Sequence, residues 1–219
     1  MSPKATAPRA EAQIEREYGP FPEIDCVHGV TFDGSSVWFA TDDGLRSFDP
    51  ATGREGRKLP VRASAGTAYD GRHFYQISGE SIVQLDAKTG NVLASVPAPK
   101  GSAGLTWAEG TLWVGVHRER KIHQIDPRTG AVLRTLDAAR FVTGVTFVEG
   151  DLWYGTWEGN ESDLRRADPK TGEVLESIAM PAGAFVSGLE YDGVDTFYCG
   201  AANAGKVRAI RRTKRRAAV

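Results

Sequence analysis

The segment that decides the fold reads Gly144-Val-Thr-Phe147, then Glu149-Gly150, Leu152-Trp153 and Asp168-Pro-Lys-Thr-Gly172. An apolar strand follows the first glycine, and the acidic residue with the second glycine is typical of a hairpin turn. The third strand ends at Asp168, where proline sets φ early in a chain reversal and glycine accepts a positive φ at its end. With the apolar run after Gly172, the segment predicts one antiparallel sheet of four strands.

The same segment occurs five times in the 219-residue chain, with a period of about forty residues that is typical of propeller blades. Its five anchor glycines are Gly29, Gly66, Gly104, Gly144 and Gly188. They lie 37, 38, 40 and 44 residues apart. Because one such sheet cannot bury both of its faces, the copies must pack around an axis. We therefore predict an all-β protein, a five-bladed β-propeller of four-stranded antiparallel blades.

The fifth copy is incomplete, because the chain has no turn signature and no fourth strand after Val207-Arg-Ala-Ile210. This would leave an unpaired edge, which natural sheets avoid. Upstream, Ala12-Gln-Ile-Glu-Arg-Glu-Tyr18 alternates apolar and polar residues and has the length of the missing strand. We predict that this N-terminal strand completes blade five. Residues 1–11 are then a flexible N-terminus, residues 12–212 the propeller and residues 213–219 a basic C-terminal tail.

Composition excludes several classes of partner. The 27 basic and 28 acidic residues give a net charge of −1, so no general attraction to nucleic acid or anionic lipid is expected. No apolar run has the length of a signal peptide or a membrane span. Cys26 and Cys199 are too few for a disulfide framework and fit a reducing compartment. We expect a soluble, cytoplasmic monomer without nucleic-acid or membrane partners, unless a signal sequence has been removed.

One face of the predicted propeller carries the variable loops. The span from the second-strand aromatic residue to the third-turn aspartate is 11 residues in blades one and two, 13 in blade three and 15 in blade four. Insertions confined to one face of a repeat array mark its binding face. We predict that a small polar ligand or a peptide binds there, with Trp157 as a stacking platform. The candidate binding residues are Trp157, Glu158, Asn160, His117, Arg118 and Asn203.

Two residues near the predicted channel break the repeat. His28 precedes the first anchor glycine, where the other copies have small residues, and Glu190 lies two residues after the last anchor. With Asp42 they are the candidate catalytic residues, as an acid/base pair or as metal ligands. His28 and Glu190 differ by three positions in strand register, which is about 10 Å at about 3.3 Å per residue, so each could equally be structural. We predict no resident cofactor, and a divalent metal at the channel mouth is the alternative.

These repeats resemble a broad family of bacterial propellers. Its members include plant-type glutaminyl cyclases (glutamine cyclotransferases), virginiamycin B lyase and quinoprotein-like repeat proteins. The motif Leu152-Trp-Tyr-Gly-Thr-Trp157 before Asp168-Pro-Lys-Thr-Gly172 is similar to the Tyr-Ala-Asn-Val-Trp segment of the cyclases. The resemblance implies five blades closed by an N-terminal strand. As an alternative to a binding protein, it implies a glutaminyl-peptide cyclotransferase or a lyase that uses the same channel mouth.

The chain departs from the cyclase pattern where that family has carboxylates. Cys26-Val-His-Gly-Val30 replaces Phe-Thr-Gln-Gly-Leu, and Trp38-Phe-Ala-Thr-Asp-Asp-Gly44 lacks the glutamate that begins the family's Glu-Ser-Thr-Gly-Leu-Tyr-Gly run. Val142-Thr-Gly-Val-Thr146 replaces the acidic Asn-Glu-Leu-Glu motif. Proton transfer would then require Asp42, Asp43 or Glu190 in a different geometry. The sequence leaves binding protein and enzyme as open alternatives.

Overall fold

The computed structural model describes residues 7–212. These residues form twenty-one β-strands and no helix, so this part of the chain has no helical segment that could cross a membrane. The two N-terminal strands are β1 Arg9–Glu11 and β2 Gln13–Tyr18. The remaining nineteen strands follow in chain order as five blades.

Each blade begins with its innermost strand at the central channel. Blade one consists of β3 Val30–Phe32, β4 Val37–Thr41, β5 Gly44–Phe48 and β6 Glu55–Leu59. Blade two consists of β7 Thr67–Tyr69, β8 His73–Ser78, β9 Ser81–Asp86 and β10 Val92–Pro97. Blade three consists of β11 Ser102–Ala108, β12 Thr111–Val116, β13 Lys121–Ile125 and β14 Val132–Asp137. Blade four consists of β15 Val142–Val148, β16 Asp151–Glu158, β17 Glu161–Ala167 and β18 Val174–Ala179. Blade five consists of β19 Leu189–Tyr191, β20 Thr196–Gly200 and β21 Val207–Arg211.

The N-terminal strand closes the ring as predicted. The sheet of blade five has the order β19-β20-β21-β2, and β2 pairs antiparallel with β21 through contacts such as Ile14 with Ile210. Ion pairs from Glu17 to Lys206 and Arg208, both at 2.9 Å, lie across the same two strands. The prediction of five four-stranded antiparallel blades in one propeller is confirmed.

The segment predicted to be a flexible N-terminus, residues 1–11, ends in strand β1. Strand β1 pairs in parallel with the outer edge of β18 and gives blade four a fifth strand. The amide of Ser177 donates to the Pro8 carbonyl at 2.9 Å, and that of Ala12 donates to Ala179 at 2.8 Å. The outer strand of a blade leaves backbone donors and acceptors free, and so short a strand needs no apolar pattern to use them. The predicted basic tail, residues 213–219, lies outside the described residues.

The anchor glycines form a ring around the channel, and the packing explains why they are glycine. A Cβ on Gly66 would lie 2.4 Å from the Leu105 amide nitrogen of the next blade, and one on Gly144 would lie 2.4 Å from that of Leu189. The last anchor, Gly188, faces Gly29 and Val30 of blade one in the same way. Any side chain at these positions would push neighbouring blades apart, so the repeated glycine sets how closely the inner strands approach.

Aromatic residues of the second strands seal the junctions between blades. Trp38 packs on Phe74 of the next blade with ring centroids 4.8 Å apart, and Trp153 packs on Phe197 in the same way at 4.8 Å. Both tryptophans are buried. Their burial fixes the rotation of each blade against its neighbour and therefore the shape of the channel.

Candidate functional site

A cavity of about 230 Å³ lies at the mouth of the channel, on the face that carries the connections between second and third strands. It is lined by His28, Ser64, Ala65, Ser102, Ala103, His117, Thr143, Trp157 and Ser187. Five of these residues directly precede the anchor glycines, one from each blade. Because most of the five are small, the ring stays open at this level. His28, His117 and Trp157 supply the large groups in its wall.

His117 is held in one tautomer. Its Nδ1 atom lies 2.9 Å from the backbone carbonyl oxygen of Val142, which can only accept a hydrogen bond, so Nδ1 carries the hydrogen. The Phe141 ring lies against the imidazole with centroids 5.0 Å apart. In the neutral ring, Nε2 is therefore an acceptor.

Trp157 presents an ordered aromatic wall. Its ring stacks on Phe185 at a centroid distance of 4.6 Å and an angle of 26°, and its Nε1 donates to the Gly159 carbonyl at 3.1 Å. The expected long loop around it is a hairpin, because β16 continues to Glu158 and β17 begins at Glu161. The extra residues of blade four lengthen two paired strands, and this pairing gives Trp157 its fixed position.

Thr143 contributes a polar group without a partner. The residue is 5% exposed, and its hydroxyl oxygen makes no hydrogen bond within the described part of the chain. Buried hydroxyl groups are nearly always satisfied, since an unmet one lowers stability. The hydroxyl oxygen itself is buried and lies beside Gly155 of β16, so Thr143 lines the cavity without presenting this hydroxyl to it.

The other predicted binding residues lie away from the cavity wall. Glu158 forms ion pairs with Arg120 and with Arg140, the latter at 3.6 Å. Asn160 and Asn203 are exposed in hairpin turns. Arg118 lines a shallow surface groove beside the mouth. The structure thus brings His117 and Trp157 together at the mouth and leaves these four residues around it.

His28 lies between a thiol and a carboxylate at the edge of the mouth. Its Nε2 atom is 3.0 Å from Asp42 Oδ1, and its Nδ1 atom is 3.6 Å from Cys26 Sγ. Because an ionised carboxylate only accepts, Nε2 donates to Asp42 and the lone pair of Nδ1 faces the thiol. Burial, with the charges of Asp42 and Asp25, raises the pKa of Cys26, so the thiol is protonated at neutral pH.

Cys26, His28 and Asp42 form one hydrogen-bonded line. The two ring nitrogens of His28 point in opposite directions, so Cys26 and Asp42 cannot share one ion with it. Within residues 7–212, no three His, Cys, Asp or Glu side chains are placed to hold a metal ion. The described geometry therefore offers a base at Nδ1, oriented by Asp42 from the other side of the ring.

Glu190 lies deeper, in the wall of the channel. Its Oε2 accepts from Thr31 at 2.9 Å, and its Oε1 accepts from Thr146 at 2.6 Å and from the Tyr191 amide at 2.8 Å. Burial raises the pKa of this carboxyl group despite these donors. Its partners are the channel threonines of blades one and four, so the structure does not pair it with His28. The predicted alternative, a structural glutamate, describes these contacts.

Comparison of the chain with known proteins identifies its family. The model of a family described as outer membrane protein assembly factor BamB, a quinoprotein-like repeat, matches residues 78–214. The chain belongs to this family. The predicted resemblance to quinoprotein-like repeats is thus confirmed. A search of the curated proteins finds no match to the chain.

Solved structures extend the relationship at the level of the fold. Glutaminyl cyclase from Myxococcus xanthus superposes with a TM-score of 0.76 at 16% identity, covering 94% of this chain and 98% of that one. Hydrazine synthase from Kuenenia stuttgartiensis superposes with a TM-score of 0.53 at 16% identity, covering 81% of this chain and 56% of that one. At such identities the likeness shows a shared fold alone.

The sequence did not show which hydroxyl groups near the mouth have hydrogen-bond partners. Thr143 and Ser187 were visible as the small residues before two anchor glycines, but their roles depend on what lies opposite them. The hydroxyl of Ser187 is engaged with the Val27 carbonyl across the blade-five junction, whereas Thr143 has no such partner. The contact of Cys26 with His28 was not predicted, because it forms only in the folded chain.

Proposed function

We propose that this chain is a binding propeller whose channel mouth takes a small polar ligand or the end of a short peptide. The observation that carries the proposal is the ordered cavity wall formed by Trp157 and His117. A stacking surface beside an imidazole acceptor on an ordered wall is typical of ligand sites.

The size of the cavity limits the ligand. Pockets of about 300–1,000 Å³ hold drug-sized molecules, and a mouth of about 230 Å³ is smaller. An amino acid or one terminal residue of a peptide fits this volume, with a planar group on Trp157. Its hydrogen-bond donor would bind Nε2 of His117.

The test is a thermal-shift screen of amino acids, their amides and dipeptides, followed by calorimetry on the compounds that stabilise the protein. His117→Phe keeps a ring of similar size and removes the Nε2 acceptor, and a lost hydrogen bond of about 1 kcal/mol corresponds to about fivefold weaker binding. Trp157→Ala should weaken binding by tenfold or more. Glu158→Gln is the matched control, because Glu158 faces arginines outside the cavity. Unchanged binding in both mouth variants would refute this placement.

We propose as a second candidate a glutaminyl-peptide cyclotransferase or a related acyl-transfer enzyme. The observation that favours it is the hydrogen-bonded line from Cys26 through His28 to Asp42. In glutaminyl cyclisation the α-amine attacks the γ-carbonyl carbon, the amine loses a proton and ammonia leaves with one. The substrate amine would displace the Cys26 thiol from Nδ1 of His28, which would accept the first proton and return it to the leaving nitrogen, with Asp42 stabilising the imidazolium.

Release of ammonia from a glutaminyl peptide, with and without added divalent metal, tests this candidate. His28→Ala should abolish turnover, and Asp42→Asn should reduce it by about 10²-fold or more through loss of the oriented tautomer. Cys26→Ser keeps a hydrogen-bond donor at this position. The variant should lose turnover if the thiol is a nucleophile and keep it if the thiol takes no part in the reaction. An absence of turnover in the wild-type protein under every condition would eliminate the second candidate and leave the binding proposal intact.

A further inference from the structure

On the face opposite the mouth, arginines of the outer strands clamp one blade to the next. Arg16, Arg57 and Arg134 occupy the same place in their strands, two residues before the buried outer-strand side chains of Tyr18, Leu59 and Leu136. Each guanidinium donates to backbone carbonyls in the Asp-x-x-Thr-Gly turn of the following blade. The donor–acceptor distances are 3.1 and 2.7 Å from Arg16 to Pro50 and Ala51, 3.1 and 2.6 Å from Arg57 to Ala87 and Lys88, and 2.9 Å from Arg134 to Pro169.

The clamp is missing at one junction that has the turn to receive it. In blade two the equivalent residue is Ala94, which has no donor for the Pro127 and Arg128 carbonyls of the blade-three turn. Blade four has Glu176 at this place, but blade five has no Asp-x-x-Thr-Gly turn. Among the four junctions that end on such a turn, the one between blades two and three is therefore the exception.

A groove of about 640 Å³ lies at this junction, and the corresponding groove between blades one and two, of about 650 Å³, has Arg57 in its wall. The first groove is bounded by Ala94 and by the turn residues Asp126, Pro127 and Arg128, with Tyr75 and Trp107 in its wall. The two aromatic rings stack at a centroid distance of 5.2 Å and an angle of 12°. In blade one the guanidinium of Arg57 lies 5.5 Å from the ring of Trp38, the residue equivalent to Tyr75. The groove thus retains the aromatic surface that accompanies the clamp elsewhere.

One carboxylate lies at the groove, with Arg128 at its rim. Backbone amides of Arg128 and Thr129 lower the pKa of Asp126, so this carboxylate is ionised at neutral pH. Arg128 itself does not fill the groove, because its side chain is 87% exposed and its guanidinium lies 3.7 Å from the Asp126 carboxylate. Two turn carbonyls, one carboxylate and two aromatic faces therefore surround a space from which the chain's own guanidinium is absent.

We propose that this groove is a docking site for an arginine side chain presented by an extended segment of a partner protein. The guanidinium would take the position that Arg57 and Arg134 hold at their junctions, donating to the Pro127 and Arg128 carbonyls and lying against Tyr75. Lysine is a poor substitute, because its compact ammonium lacks the planar set of donors that spans two carbonyls and stacks on a ring. The site is separate from the channel mouth and independent of the function proposed for it.

Calorimetric or NMR titration with N-acetyl-L-arginine N-methylamide tests the proposal. A single anchor of this kind should bind with a dissociation constant on the order of 1 mM, and the lysine analogue at least fivefold more weakly. Ala94→Arg supplies the chain's own clamp and should reduce the affinity at least tenfold while raising the melting temperature. Ala94→Leu, which fills the groove without donors, should reduce the affinity without that stabilisation.

A second variant tests the proposal even if Ala94→Arg does not fold. Arg57→Ala empties the clamp between blades one and two, and should create a second site for the same probe in a protein whose circular dichroism is unchanged. Peptides of five residues with a central arginine should bind more tightly than the capped amino acid if the partner is a protein segment. Three results would each overturn the proposal. The arginine and lysine probes could bind equally well, Ala94→Arg could leave the affinity unchanged, or the capped amino acid could bind as tightly as the peptides.

Discussion

Replacing Tyr18 by alanine tests how strongly the N-terminal strand holds the ring closed. Tyr18 is 6% exposed, and its ring lies 4.4 Å from that of Phe48 in blade one. Its hydroxyl donates to the Pro50 carbonyl of the blade-one turn at 2.8 Å. One side chain of β2 therefore joins the last blade to the first.

The expected loss follows from these contacts. Truncating a buried aromatic side chain to alanine destabilises by about 3–5 kcal/mol, and the hydrogen bond accounts for about 1 kcal/mol of that. A domain of this size loses about 2–4 °C of melting temperature per kcal/mol, so Tyr18→Ala should melt about 6–20 °C lower. Tyr18→Phe keeps the ring packing and should lose only about 2–4 °C.

Urea unfolding followed by tryptophan fluorescence, together with calorimetry, measures both variants. Glu15→Ala is the matched control within β2, because Glu15 is exposed and its ion pair with Arg211 is a surface pair worth about 0–1 kcal/mol. An unfolding free energy of Tyr18→Ala within about 1 kcal/mol of the wild type would refute the reasoning. It would mean that the closing strand contributes little to the ring, against the typical total of about 5–15 kcal/mol.

Two further predictions concern the channel and the edge of blade four. Burial raises the pKa of Glu190, so the folded protein keeps the carboxyl proton to a higher pH than the unfolded chain does. The stability that the neutral carboxyl group contributes is therefore lost as the pH rises from about 4.5 through the raised pKa. Glu190→Gln should therefore make the free energy of unfolding less dependent on pH in that window. At pH 8 the variant should unfold at a higher urea concentration than the wild type. If the unfolding free energies of both proteins changed with pH in the same way, this prediction would be contradicted. Deleting residues 1–11 removes β1 and uncovers the edge of β18, so we expect faster hydrogen exchange at Ser177 and Ala179 and a small fall in melting temperature. Protection at these two amides that does not change on deletion would show that β1 contributes nothing in solution.

The blades could be predicted from the sequence because they are built from local rules that repeat. The anchor glycines, the acidic-Gly hairpins and the Asp-x-x-Thr-Gly turns each act within a few residues, and five copies reinforce one interpretation. Closure by β2 was predictable too, because blade five lacked one strand and Gln13–Tyr18 has the alternation of a strand. Strand β1 was not, since three residues that pair through backbone atoms leave no side-chain pattern.

The functional surfaces depended on pairs of residues that are distant in sequence. Thr143 and Ser187 look alike as small residues before a glycine, yet one hydroxyl has a partner across a junction and the other has none. Glu158 was a plausible anchor until the fold brought Arg120 and Arg140 to its carboxylate. The absence of an arginine at Ala94 matters only because the fold places this residue beside the turn of the next blade. Local backbone chemistry determines the repeat, but hydrogen bonds and charges between blades form only when the ring closes, and they decide which groups remain free to bind.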